Sequence, residues 1–159
     1  MSADRDIPGV VAPPPLLFVG TVLLGIVLDW LVPARLWPEA AATTLRWAAG
    51  GLLFVLAAGL ALWAERAFKA VGTEVRPWRP STALAASGPY RFTRNPMYLG
   101  LLLGTIGIAL GLDNPWLLGL VVPLALVLRY GVIAREEAYL ERKFGDGYTT
   151  YKASVRRWL

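Results

Sequence analysis

PMYLGLLLGTIGIALGLDNPWLLGLVVPLALVLRYGVIA, residues 96–134, is two apolar runs joined by Asp113-Asn114-Pro115. Each run is near the roughly 17–25 residues that carry a helix across a hydrocarbon core. A link this short between two spans forces an antiparallel helical hairpin, because lipid leaves helical hydrogen bonding as the way to satisfy the backbone. Two further apolar runs lie upstream, at residues 16–32 and 45–64. The chain therefore reads as all-α, a polytopic membrane bundle of about four transmembrane helices at 16–32, 45–64, 96–112 and 116–134, followed by a cytoplasmic or interfacial helical tail over 135–159. Nothing divides the 159 residues into two hydrophobic units, so one domain, 1–159, is expected.

Composition agrees with lipid as the solvent. With 56% hydrophobic and 17% charged residues, and a mean hydropathy of +0.50, too little polar surface remains to coat a water-soluble globule. The approach to the first run, with Asp4, Asp6 and the Pro13-Pro14-Pro15 run, lacks the basic start of a cleavable signal peptide, so a retained helix is expected.

Cysteine and histidine are both absent. That removes disulfides, a thiolate nucleophile and the usual metal ligands, so no metal site is expected and chemistry falls to carboxylates, arginine, tyrosine, amides or a bound cofactor. The net charge of +5 fits loops held against anionic headgroups better than nucleic acid, which is not expected as a partner. Six basic residues fall within 66–94 and seven from Arg129 onward, against three elsewhere. The positive-inside bias therefore puts the middle segment, the tail and, with four spans, both termini in the cytoplasm.

Three places in that scheme have side chains suited to chemistry. Asn95-Pro96 is a helix start, with an acceptor at the N-cap and a residue lacking an N–H at N1. Its free amides, beside Arg91 and Arg94, suit either an anionic ligand or lipid headgroups. Gly100, Gly104, Gly107 and Gly111 form a stripe suited to close helix packing, with Gly100 the one placed to approach a ligand. Arg129 sits about a turn inside the last span, a costly position unless it snorkels or is paired. On an uninterrupted helix Arg129, Glu136 and Glu137 share one broad face, with Arg129 and Glu136 roughly 10 Å apart along the axis. Beyond Gly145-Asp146-Gly147, the spacing of Tyr148, Tyr151, Val155 and Trp158 predicts a short interfacial helix with its aromatic face at headgroup level.

The ordered set Gly72-Thr73, Gly88-Pro89-Tyr90-Arg91, Arg94-Asn95-Pro96-Met97-Tyr98-Leu99-Gly100, Glu136-Glu137, Phe144-Gly145 and Tyr148-x-x-Tyr151 resembles the isoprenylcysteine carboxyl methyltransferase family and its bacterial phospholipid-methyltransferase-like relatives. The likeness runs from Phe68 to the C-terminus. It implies a membrane enzyme, in a bacterial inner membrane, that uses S-adenosylmethionine in a cytoplasm-facing pocket on a lipid or prenylated acceptor. Carried over position by position, Arg94, Asn95, Tyr98, Gly100, Glu136 and Glu137 are the implied cofactor residues, with Arg129 and Glu136 implied at the reacting centre. Asn95 stands where eukaryotic members often have histidine, and an amide cannot exchange a proton near pH 7. That favours an acid or an already neutral nucleophile. Two other classes share some of these features: the C-terminal part of NADPH-dependent membrane sterol reductases, and a non-catalytic lipid-binding bundle.

Overall fold

The structure is a computed structural model that describes residues 6–38, 43–73 and 80–159. Arg5, Arg76 and Arg79, three of the basic residues counted above, lie outside the described residues. Six α-helices follow one another: α1 (Pro14–Leu31), α2 (Thr43–Ala70), α3 (Pro96–Leu112), α4 (Pro115–Val127), α5 (Ala134–Phe144) and α6 (Asp146–Ser154). A 3-10 turn, Gly88–Arg91, precedes α3, and a π-helical turn, Leu128–Ile133, joins α4 to α5. Among the described residues there is no strand.

Three stretches are long and apolar enough to span a membrane: α1, α2 and the continuous run Pro115–Phe144. The fourth expected span, α3, is a shorter apolar helix of 17 residues, about 25 Å long at 1.5 Å per residue. The run Pro115–Phe144 has 30 residues and so reaches about 45 Å, well beyond the roughly 30 Å hydrocarbon core, which leaves α5 projecting past the bilayer.

Burial in the spanning helices is inverted relative to a soluble protein. The buried residues of α2 are Gly50, Ala57, Ala64 and Ala67, whereas Leu23, Trp30, Val55 and Val122 face outward. Between helices in lipid the gain comes from backbone approach, and small side chains permit it. A Cβ on Gly50 would lie 2.5 Å from the Gly107 carbonyl oxygen and from the Gly111 nitrogen. One on Gly107 would lie 2.8 Å from the Gly50 oxygen. The glycine stripe of α3 is thus a seam against α2. Gly25 plays the same part where α1 crosses α4, because a Cβ there would meet the Leu117 Cβ at 2.8 Å.

The Asp113-Asn114-Pro115 hairpin pins the end of the bundle away from α5. Asp113, in the left-handed region at φ 59°, accepts the backbone N–H groups of Leu36 and Trp37 at 2.8 and 3.0 Å and pairs with Arg46 at 3.0 Å. Asn114 caps α4 through the Leu117 N–H at 2.8 Å, while its amide donates to the Gly25 carbonyl at 3.0 Å. At the opposite end the C-terminal end of α2, the start of α3, and α5 and α6 converge. The two long polar segments therefore share one end of the bundle.

Two local expectations are corrected. The break after α5 is the single residue Gly145, at φ 53°, and Asp146 and Gly147 already belong to α6. Of the aromatic face expected on that helix, Tyr148 is buried against the protein, and α6 ends at Ser154, with Val155 extended.

Candidate active site

The helix start that the sequence marks does form at Pro96, but Asn95 does not cap it with its side chain. Its Nδ2 donates instead to the Arg157 carbonyl at 2.9 Å. The Thr93 hydroxyl donates to the same carbonyl at 3.1 Å, and the Arg94 N–H to the Arg156 carbonyl at 2.9 Å. The turn 93–95 and the chain's last residues are therefore laced together, and the pair forms one wall of a cavity.

That cavity opens between the start of α3, α5 and the tail, with Phe68 and Tyr90 also in its lining. Arg94, Asn95 and Tyr98 come from the start of α3 and Glu136 and Glu137 from α5, and all five line it. Tyr98, one turn into α3, donates its hydroxyl to Glu136 Oε1 at 2.6 Å. Glu137 accepts a fork from Arg157, Nε to Oε1 at 3.0 Å and Nη2 to Oε2 at 2.6 Å, while Arg94 Nη2 lies 3.4 Å from Oε1. The charge beside it holds the Arg157 guanidinium above its ordinary pKa: the hydrogen bond to Glu137 comes first, then burial in the opposite sense, then the Coulomb attraction.

Arg94 has a further property. Its side chain is only 9% exposed, and its Nε and Nη1 are buried with no hydrogen-bond partner. A buried donor without an acceptor costs about 1–3 kcal/mol, more when charged, and this guanidinium carries two.

Aromatic side chains line the rest. Phe68 meets Tyr90 edge-on with ring centroids 5.1 Å apart, Tyr151 donates to the Tyr90 carbonyl at 2.8 Å, and Tyr148 lies 6.2 Å from Tyr151. Burial pushes the Tyr90 hydroxyl well above its usual range, with Glu136 adding to it, and pushes Tyr151 up to about 12. Both stay neutral donors throughout the physiological range.

Two residues expected at the site stand elsewhere. Gly100 is on the α2 seam, where a Cβ would meet the Ala57 oxygen at 3.0 Å, so its missing side chain serves packing. Arg129 is exposed, stacked over the Tyr130 ring at 5.5 Å, and does not line the cavity. The regular α-helical spacing assumed between Arg129 and Glu136 is altered by the π turn at Leu128–Ile133. One added residue rotates the upstream part of a helix by about 100° relative to the downstream part. The Val11 N–H donates to the Gly131 carbonyl at 3.1 Å, giving a carbonyl of the π turn a partner outside the helix. Residues not singled out from sequence include Tyr139 and Arg157. In the sequence Arg157 is one of several basic side chains in the tail, and no local pattern marks it as pointing inward.

The model of the phospholipid methyltransferase family matches residues 45–147, a stretch that takes in most of α2, the 93–95 turn and both glutamates. The chain belongs to that family, and is a membrane-embedded methyltransferase of the S-adenosylmethionine-dependent kind. A 65-residue stretch, 40% of the chain, is 52% identical to an uncharacterized protein of Haemophilus influenzae over all of that protein's length. No solved structure matches. The match is to the wider phospholipid methyltransferase family, and not to its isoprenylcysteine carboxyl branch in particular.

Proposed function

We propose that the cavity between the start of α3, α5 and α6 holds S-adenosylmethionine and serves methyl transfer to a lipid or lipid-anchored acceptor. The observation that carries this is Arg94, which lines the cavity together with Glu136 and several tyrosines and keeps two buried donors unmet. In that reading Arg94 takes the carboxylate of the cofactor's amino-acid end through a fork of donors. Glu136, held by Tyr98, accepts from the amino group or a ribose hydroxyl, and the rings of Phe68, Tyr90 and Tyr148 offer flat faces to the adenine.

When bound, the cofactor supplies a methyl group already activated on a sulfonium. What remains for the chain is to align the acceptor with that methyl and keep the site dry. Asn95 lines the cavity but cannot take up a proton, so Asn95 itself offers no base to an ammonium acceptor, which must first lose one. The outward apolar faces of α1, α2 and α4 support an acceptor whose chains lie in the bilayer, and the positive-inside bias of the polar segments supports a cavity on the cytoplasmic side.

Calorimetric titration of the detergent-solubilised protein with S-adenosylmethionine, S-adenosylhomocysteine and NADPH tests the reading. Binding of the first two is expected. Binding of NADPH alone would replace it with the reductase class.

A further inference from the structure

Glu137 is a poor candidate for direct contact with a ligand, because both its oxygens are taken by Arg157. The arrangement has a consequence for Arg94. Among the described residues two guanidiniums share this one carboxylate, Arg157 through a fork and Arg94 through a single contact at 3.4 Å. Glu137 has a side chain only 8% exposed, so without Arg157 it would draw on the nearest remaining cation, and that is Arg94. A guanidinium forked onto Glu137 would commit two of its donors to that carboxylate and leave fewer for a ligand.

We propose that Arg157 is a positioning residue that saturates Glu137 and thereby keeps Arg94 free to hold the anionic end of the ligand. The proposal rests on the reading of the cavity as the S-adenosylmethionine site. It makes the tail part of the specificity machinery: the cavity selects a ligand with a carboxylate beside the nucleoside because a side chain in the tail, 20 residues after Glu137, occupies the competing internal anion. Removing the Arg157 side chain should leave the tail docked, because its anchors to the 93–95 turn are the carbonyls of Arg156 and Arg157, not their side chains.

The test compares two probes that share the thioadenosine and differ in the amino-acid end: S-adenosylhomocysteine, which has the carboxylate, and 5′-methylthioadenosine, which lacks it. Affinities are measured by calorimetry on the parent, Arg157→Ala and Arg157→Ala/Glu137→Gln, with thermal midpoints of the ligand-free proteins recorded alongside. In Arg157→Ala, S-adenosylhomocysteine affinity should fall about 10- to 100-fold, the scale of a charge-assisted hydrogen bond, while that of 5′-methylthioadenosine changes less than about threefold. In the double variant the neutral amide no longer competes for Arg94, and S-adenosylhomocysteine affinity should return to within about threefold of the parent. A merely structural tail would lower both probes together and would not be rescued by a second substitution, and either result overturns the proposal. If the parent fails to bind S-adenosylhomocysteine, the cofactor reading falls and this one with it. If the parent binds and Arg157→Ala binds equally well, only the role of Arg157 falls.

Discussion

Tyr98 and Glu136 are 38 residues apart and come from different helices, yet the tyrosine hydroxyl stands 2.6 Å from the carboxylate oxygen inside the cavity. The bond couples the start of α3 to the start of α5. It also fixes the rotamer of the glutamate that the proposed cofactor would meet. Glu136→Gln removes the charge and should lower S-adenosylhomocysteine affinity about 10- to 100-fold, the 1.5–3 kcal/mol of a charge-assisted hydrogen bond. Tyr98→Phe should act in the same direction but less, about five- to tenfold, and the double variant should be no weaker than Glu136→Gln because the two groups act as a unit. Parental affinity in both single variants would remove the pair from the site.

The α2–α3 seam predicts a contrast among glycines. Gly107→Ala places a methyl group against the backbone of α2, where neither side is a flexible side chain, and should destabilise the solubilised protein by about 1–3 kcal/mol. Gly51, one residue from the seam glycine Gly50, has nothing within 4 Å of an added Cβ. Gly51→Ala should therefore be neutral or slightly stabilising through helix propensity. Thermal midpoints in one detergent decide it, and equal midpoints for the two variants would mean that the seam does not govern assembly.

Much of the scaffold is legible from sequence because its causes are local. Apolar run length fixes the spans, Asp113-Asn114-Pro115 forces the hairpin, and Asn95-Pro96 marks a helix start. The pairing of α3's start with Glu136 and Glu137 is legible only through the family resemblance, since no spacing rule brings residues 94–98 to residues 136–137. The remainder depends on long-range contacts that leave no local mark. The π turn places the Gly131 carbonyl against the Val11 N–H, 120 residues earlier in the chain, and a propensity window cannot see that partner. Arg157 reads as one more basic residue in an amphipathic tail until the fold sets Glu137 beside it.

At the other end of the bundle, Asp113 supplies a pH dependence. Burial raises its pKa, but the N–H donors of Trp37 and Leu36, then the charges of Arg46 and Arg35, outweigh that and hold it below the usual carboxylate range. A carboxyl whose folded pKa lies below its unfolded value stabilises the fold above the unfolded pKa, about 3.9, and loses that contribution as pH falls through the lower folded value. Asp113→Asn keeps a residue that tolerates the left-handed conformation while removing the charge. It should cost roughly 1–3 kcal/mol at pH 7. The gap in thermal midpoint between parent and variant should stay constant down to about pH 5 and close as pH is lowered through about 4 toward 2. A gap independent of pH would show that the carboxylate's charge is not what pins the hairpin.

Orientation in the membrane can be read because the two ends of the bundle are distinct. Ser87 is exposed at the cavity end and Pro38 at the Asp113 end. Because the chain has no cysteine, single Ser87→Cys and Pro38→Cys variants report one site each. An impermeant thiol reagent should reach Pro38→Cys from outside intact cells and Ser87→Cys only after the membrane is opened. Labelling of both from outside would exclude the placement of the cavity at the cytoplasmic face.

Arg129 separates a role in the cavity from a role at its border. Helical spacing alone puts it on the face of Glu136, but the π turn rotates it outward, onto the Tyr130 ring at 5.5 Å, on an exposed surface near the end of the span. At that position a guanidinium reaches the interface along its own stem, and a lysine of nearly equal length does the same. Arg129→Lys keeps the charge and loses the planar fork of donors, so it tests geometry rather than charge. A residue that aligned the nucleophile with the methyl group would lose at least about tenfold in turnover on this change, because alignment in methyl transfer depends on directed contacts. For an outward-facing arginine the expected result is different: S-adenosylhomocysteine affinity and turnover on a lipid extract both within about twofold of the parent, with normal insertion. Arg94→Lys, measured beside it, should lose affinity for S-adenosylhomocysteine by about tenfold or more, since an ammonium cannot reproduce a fork of donors. A tenfold turnover loss in Arg129→Lys with cofactor affinity intact would instead place that arginine at the acceptor, and would require the π turn to straighten when the lipid enters.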